Sequence, residues 1–203
     1  MAWKYPVCNI SRLRMGTDGD GIRTLVVMEG CPLRCRHCIN PFTWDRSMKS
    51  RRMTAKEIYE EIRIDRPYIL ATCGGITFGG GEPLLYPRLF REMHHICDPD
   101  MTINVETSLH VPTRKMLAAA DLIDTFLVDI KTLDPLIYRQ YTGKDNALVL
   151  KNLQILLGTK GSDAIFIRIP RIPGYTNWAR QQKDRETLGK MGFRRFDLFT
   201  YRV

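Results

Sequence analysis

The sequence predicts an α/β fold on a parallel sheet, and three observations carry that prediction. Six short runs rich in β-branched and aromatic residues alternate with helical stretches along the 203-residue chain. The stretches between them supply helices for the right-handed crossovers that parallel neighbours require. No low-complexity, repeated or linker-like segment breaks the alternation, so residues 1–203 read as a single domain with a real core.

The first predicted strand is "TLVVM" at 24–28, an unbroken apolar run suited to a buried strand. "TAKEIYEEIRI" opens a helix, because Thr54 and Glu57 form a pattern whose side chains satisfy each other's free backbone N–H groups. A second strand, "GITF" at 75–78, precedes a helix near "RLFREMHHI". Strands "TINVET" (102–107), "TFLVDI" (125–130), "AIFIRI" (164–169) and "FDLFTY" (196–201) follow, separated by helices at "PTRKMLAAA", "ALVLKNLQILL" and "WARQQKDRETLGKM". This pattern fits either a doubly wound sheet or a partial barrel. The sequence stops at or just after the sixth strand, as a minimal or a shortened version of the fold would.

In such sheets functional residues collect at the carboxyl ends of the strands. The unusual polar and glycine-rich elements fall there. A cysteine loop follows the first strand and "GGGEP" (79–83) the second; "ETS" (106–108) ends the third, "VDIK" (128–131) the fourth, and Arg168 lies late in the fifth.

With 44% hydrophobic and 26% charged residues, the composition is that of an ordinary globular protein. No apolar run approaches the ~20 residues of a membrane span, and "MAWKYPVCNISRLR" lacks the apolar centre of a secretory leader. A cytoplasmic location is expected. The net charge of +9 suggests an acidic partner, protein or nucleic acid, but the basic residues are spread. Their densest stretches are "RSMKSRR" and "RQQKDR", the latter reading as a solvated helix face.

Six cysteines in a non-secreted chain are not expected to form a disulfide framework. Three of them, Cys31, Cys35 and Cys38, lie within "GCPLRCRHCIN" at a C-x-x-x-C-x-x-C spacing that points to metal chemistry. Structural zinc takes four ligands, usually as two separated pairs, and here a fourth would be His37, Cys73 or Cys8, none at a recognisable spacing. An iron–sulfur cluster also normally takes four cysteines, so three in one loop would leave one iron open to a small molecule. The spacing favours the cluster. Cys8, Cys73 and Cys97 read as small buried hydrophobes, His94 and His95 as solvated or packed side chains, and Trp44 as core.

Taken together, the cysteine loop after the first strand and "GGGEP" after the second resemble the radical S-adenosylmethionine superfamily. "DGDGIRTLVVMEGCPLRCRHCINPFTW", "GGITFGGGEPLL", "FLVDIKTLDPLIYRQYTG" and "RIPRIPGYTN" are similar, in the same order, to the glycyl-radical-enzyme activating enzymes, the group that includes the pyruvate formate-lyase activases. The match runs from about Asp18 to Asn177.

The resemblance implies a partial (β/α)6 TIM-like barrel, a [4Fe-4S] cluster and S-adenosylmethionine. In this family the open iron chelates the methionine amino and carboxylate groups. Cleavage of the sulfonium C–S bond by a reduced cluster then yields a 5′-deoxyadenosyl radical that removes hydrogen from a glycine of a partner enzyme. Cys31, Cys35 and Cys38 match the cluster ligands. Gly80, Gly81 and Glu82 match the segment that meets the methionine ammonium. Asp129 and Lys131 match the family's "DIK", and Arg168 matches an arginine that contacts the cofactor. Glu106 and Thr107, with Asp129, match a site that holds a monovalent cation. His37 stands where the superfamily prefers an aromatic ring against adenine, Asp20 replaces the proline of "DGPGIR", and Tyr201 occupies the place of a histidine, whose contact is not carried over.

Between Cys38 and Thr54 there is no room for a ferredoxin-like cluster insert, so one cluster is expected. The implied partners are a glycyl radical enzyme and a flavodoxin- or ferredoxin-type electron donor, with neither membrane nor nucleic acid among those expected, and the implied chemistry is anaerobic. A second reading directs the same radical chemistry at a small molecule or nucleic acid. A third, a non-catalytic iron–sulfur or zinc module using the basic surface, leaves "GGGEP", "DIK" and Arg168 without a role.

Overall fold

The structure, a computed structural model, describes residues 2–45, 47 and 49–201; Arg46 and Met48 of the basic stretch "RSMKSRR" lie outside the described residues. Among the described residues eight strands form one sheet: β1 (Tyr5–Arg14), β2 (Arg23–Met28), β3 (Arg51–Met53), β4 (Gly75–Gly80), β5 (Thr102–Thr107), β6 (Thr125–Asp129), β7 (Ile165–Arg171) and β8 (Arg195–Thr200). Their spatial order is β3-β1-β2-β4-β5-β6-β7-β8. The six strands expected from sequence are β2 and β4 to β8, and all five pairings among them are parallel.

Strand order along this parallel part simply follows chain order. Right-handed crossovers then place the intervening helices on one face. A doubly wound sheet would instead reverse its order at a switch point. The opposite face is left to line a lumen, and the sheet, whose edges are β3 and β8, does not close. The fold is a partial barrel.

The helices are α1 (Phe42–Asp45), α2 (Ala55–Ile62), α3 (Arg66–Ala71), α4 (Pro87–Ile96), α5 (Thr113–Ala120), α6 (Pro135–Thr142), α7 (Ala147–Lys160) and α8 (Trp178–Lys190). Both bonds of the Thr54–Glu57 capping box form at the start of α2. Sequence reasoning did not foresee β1, β3, α1, α3 or α6. Strand β1 contains Pro6, and its register against β2 is broken between Val7 and Asn9 and again between Ser11 and Arg14, so no regular alternation marks it. Helix α6 does carry legible end signals: Asp134 caps it, Pro135 opens it, and Gly143 closes it at φ 77. Its buried face, Tyr138, Tyr141 and Thr142, has helical spacing, but all three side chains carry a hydroxyl, which weakens the apolar signal.

Two-residue periodicity divides each strand between two environments. Ile76 and Phe78, Ile103 and Val105, Phe126 and Val128, and Ile165, Ile167 and Ile169 face the helices and form the main core. Their neighbours Asn104, Glu106, Leu127, Asp129, Phe166 and Arg168 face the lumen.

The fully buried Arg23 braces the sheet where β2 begins. It donates to Thr77 Oγ1 (2.7 Å), Thr102 Oγ1 (2.9 Å), the Ile76 carbonyl (2.8 Å) and the Thr102 carbonyl (3.0 Å), and burial lowers its pKa to about 10. The "DGDGIR" segment thus contributes, through Arg23, to the barrel's framework. Cys8 is buried and Cys97 packs against the core, as expected. Cys73, expected to be buried, is exposed in a turn with φ 51. His94 and His95 are exposed on α4.

Candidate active site

The lumen holds a cavity of about 1030 Å³ that runs from the amino ends of the parallel strands, at Gly21, Thr125 and Arg195, to their carboxyl ends. Cys31, Cys35, His37 and Cys38 enter it from the loop after β2, Gly80 and Gly81 from β4, Glu106 and Thr107 from β5, Asp129 and Lys131 from β6, and Arg168 from β7. Of the site residues expected from sequence, Glu82 alone does not line it.

The cysteine loop is pinned from two sides. The Glu82 N–H donates to the Gly30 carbonyl (2.7 Å), while the Arg34 and Arg36 N–H groups donate to the Thr142 and Tyr141 carbonyls at the end of α6 (2.9 and 3.0 Å). Gly80 (φ 84) lies so close to β2 that an added Cβ would sit 2.3 Å from Val27 Cγ1, and one on Gly81 would sit 2.3 Å from the Gly30 carbonyl oxygen. Only glycine lets this backbone reach the cavity wall.

All three loop cysteines are free thiols. Burial, reinforced by Glu82, pushes Cys31 up to about 12; burial likewise raises Cys35. Among the described residues no three His, Cys, Asp or Glu side chains converge on a point fit for a single ion. Three soft thiols spread along one cavity wall suit a cluster, in which each cysteine meets a different iron. The His37 ring packs edge-on to Tyr141 and Tyr175 at 5.8 Å each, and its buried Nδ1 has no hydrogen-bond partner among the described residues, leaving a polar atom beside the cavity. These residues fit the expected cluster and cofactor. Trp44, expected to be core, is partly buried beneath the Arg34 guanidinium, 4.7 Å from its ring centroid.

A chain of alternating charge runs along the lumen wall, its Lys131 and Asp129 end within electrostatic reach of Cys35. Arg168 Nη1 donates to Glu106 Oε1 (2.6 Å) and its Nε to Asp129 Oδ1 (2.7 Å); Lys131 Nζ donates to Asp129 Oδ2 (3.1 Å) and to Tyr201 Oη (2.7 Å). Burial pushes the Asp129 carboxyl up, but Arg168 and Lys131 outweigh it and hold it at about 2. Burial raises Glu106, against the pull of Arg168. At the expected cation site a guanidinium stands between the Glu106 and Asp129 carboxylates, and the Thr107 hydroxyl is turned to Glu82, donating to Oε1 at 2.7 Å.

Tyr201, to which no contact was carried over from the family's histidine, lines the lumen. The signal was available: Arg195, Asp197, Phe199 and Tyr201 alternate along β8 and its extension, and all four line the lumen.

Glu82 lies behind the wall, fully buried. Its carboxylate accepts hydrogen bonds from Thr107 Oγ1 (2.7 Å), Ser108 N (3.0 Å), Ser108 Oγ (2.7 Å) and Leu84 N (3.3 Å). It therefore ties the glycine loop to the end of β5. Burial raises its pKa against the pull of those donors. In Glu82→Gln an amide donor would face groups that already donate. The expected loss is about 1–3 kcal/mol of stability by urea unfolding, with S-adenosylmethionine affinity changed far less than by loss of Arg168.

A family model for the radical SAM superfamily matches residues 25–182. The pyruvate formate-lyase-activating enzyme of Staphylococcus epidermidis is 35% identical over 187 residues, covering 88% of this chain and 71% of that protein; its Staphylococcus aureus counterpart is 34% identical over the same shares. Among solved structures, Streptococcus suis SuiB bound to S-adenosylmethionine superposes with a TM-score of 0.66 at 16% identity, over 86% of this chain and 39% of SuiB. Escherichia coli QueE superposes with a TM-score of 0.53 at 14% identity, over 98% of this chain and 95% of QueE. At these identities the two structures bear on the fold alone.

Proposed function

We propose a function from one premise: this chain belongs to the radical SAM superfamily and, within it, stands with the pyruvate formate-lyase-activating enzymes. It is a radical S-adenosylmethionine activase, an oxidoreductase that takes hydrogen from a glycine of a partner glycyl radical enzyme. The observation that carries this reading is the meeting, across one lumen, of a three-thiol loop and a chain of two carboxylates and two cations. When bound, a [4Fe-4S] cluster supplies the electron that cleaves S-adenosylmethionine.

The residues of the chain divide the remaining work. Cys31, Cys35 and Cys38 would hold the cluster. Arg168 and Lys131 face the cofactor's carboxylate, and Asp129 and Glu106 its ammonium and sulfonium charges. Because the four charges are paired beforehand, they are already oriented when the zwitterion arrives. Gly80 and Gly81 offer backbone at close range, and His37, with Tyr141 and Tyr175 behind it, offers a ring face to the adenine. The apolar walls at Leu25, Val27 and Leu127 help exclude water from the reacting centre. Lys131 and Tyr201 act together, the phenol holding the ammonium in place. We assign this work to one unit over residues 1–203 and place it in the cytoplasm; no helix among the described residues is long and apolar enough to cross a membrane.

The test is anaerobic reconstitution followed by electron paramagnetic resonance with glycyl radical enzymes encoded nearby. The expected result is about four irons per chain and a glycyl radical on the partner, formed with stoichiometric consumption of S-adenosylmethionine. Replacing the partner's target glycine with alanine should remove the signal. Free formation of 5′-deoxyadenosine with no protein radical would sink the activase reading and favour a small-molecule substrate.

A further inference from the structure

A second groove, of about 700 Å³, shares Cys35 and Cys38 with the lumen and no other residue, so the cysteine loop is the wall between the two. Arg34, Arg36 and Arg139 line this groove, and among the described residues no acidic one does. Arg34 is held in place: its Nη1 donates to the Cys31 and Leu33 carbonyls, both at 2.7 Å, and its guanidinium lies over Trp44. Arg36 and Arg139 are exposed, and among the described residues neither side chain is tied into an ion pair. The loop's backbone bonds to the end of α6 join the segments that carry all three guanidiniums into one surface.

We propose that this groove is the docking surface for an acidic one-electron carrier protein. The inference rests on the activase reading, since that reaction consumes an electron that must enter from outside. In the transfer the carrier loses one electron and the cluster gains it, passing from the 2+ to the 1+ state; no bond forms or breaks. Electron transfer weakens steeply with distance, so the donor must sit beside the cysteine loop. The lumen side of that loop is taken by the cofactor and the incoming glycine. The groove offers the other approach to Cys35 and Cys38, and its uncompensated positive charge complements a negative surface. Such charge steers encounter and orients a short-lived complex more than it tightens one.

The test compares reconstituted wild-type protein with Arg36→Glu/Arg139→Glu, two residues that line the groove and not the lumen. Each is mixed with a photoreduced acidic flavodoxin and, separately, a reduced acidic ferredoxin, and carrier oxidation is followed by absorbance. The double variant should slow the bimolecular step with at least one carrier by roughly ten-fold or more at low ionic strength. The gap should close as salt approaches about 1 M, where screening shortens to about 3 Å. Iron content, and cluster reduction by the uncharged photoreductant 5-deazariboflavin, should stay at the wild-type level. Wild-type rates with both carriers would overturn the proposal, as would equal slowing with deazariboflavin. Slower glycyl radical formation under deazariboflavin would also overturn it, giving the groove to the glycyl radical enzyme instead. Failure of the wild type to cleave S-adenosylmethionine with deazariboflavin would overturn the activase reading and the groove's role with it.

Discussion

Replacing Cys31, Cys35 or Cys38 with alanine, one at a time, is expected to leave reconstituted protein without a stable four-iron cluster and without S-adenosylmethionine cleavage. The three thiols come from one loop, and no further cysteine lines the cavity to take over a lost position. Burial keeps Cys31 and Cys35 protonated near neutral pH, so iron must displace their protons as it binds. Losing one thiol would remove one of the three ligands that the loop supplies to the cluster. Iron and sulfide analysis, with the charge-transfer absorbance of the cluster, reads the result. Cys73→Ser and Cys97→Ser should load normally, because Cys73 is exposed in a turn and Cys97 packs against the core, neither of them in the lumen. Stoichiometric zinc with no iron after anaerobic reconstitution would overturn the cluster assignment.

Arg168→Ala should cost both stability and cofactor binding while leaving the iron content intact. Arg168 is the shared partner of Glu106 and Asp129, and its removal leaves two part-buried carboxylates facing each other, offset by Lys131 beside Asp129 and by the more distant Arg14 on the Glu106 side. Breaking a fully buried pair in this way costs about 3–5 kcal/mol, which sets the upper bound for these part-buried carboxylates. The pH dependence has a definite sign. In the wild type Asp129 is held at about 2, so its contribution is present above the unfolded value of about 4 and is lost as pH falls through about 2. Without Arg168 the carboxyls of Asp129 and Glu106 both rise. A raised carboxyl contributes stability at low pH and loses it as pH rises through its folded value. The variant's deficit should therefore be largest near about pH 8 and shrink toward about pH 5. Arg168→Lys should fall between, because an ammonium keeps the charge but cannot bridge two carboxylates with a planar fork. Wild-type stability and wild-type S-adenosylmethionine affinity in Arg168→Ala would show that the cofactor-facing wall has been misassigned.

Much of this was legible before any coordinates. The six parallel strands could be read because each is a short run of β-formers bounded by turn residues, a signal that is local in the chain. The cysteine loop was legible for the same reason: three ligands within eight positions need no folding to be seen together. The expectation that the unusual elements share one rim followed from the topology of parallel sheets, and the cavity gathers them there, Glu82 excepted.

What only the tertiary structure decided is where side chains spend their hydrogen bonds. Nothing in "GGGEP" says that Glu82 turns from the lumen, since its four donors come from Leu84 and from Thr107 and Ser108 at the end of another strand. Lys131 and Tyr201 stand 70 residues apart and meet because β6, β7 and β8 are neighbours. The choice between a doubly wound sheet and a barrel was likewise open, because strand order in space is a matter of long-range pairing that local periodicity does not record. Strands β1 and β3 escaped notice because antiparallel pairing holds them on the sheet without a regular apolar pattern of their own. Local residue chemistry thus determined which elements form and which groups can hold the cofactor. Contacts between segments distant in the chain decided which of those groups face the lumen, because burial and hydrogen-bond partners exist only once the strands are side by side.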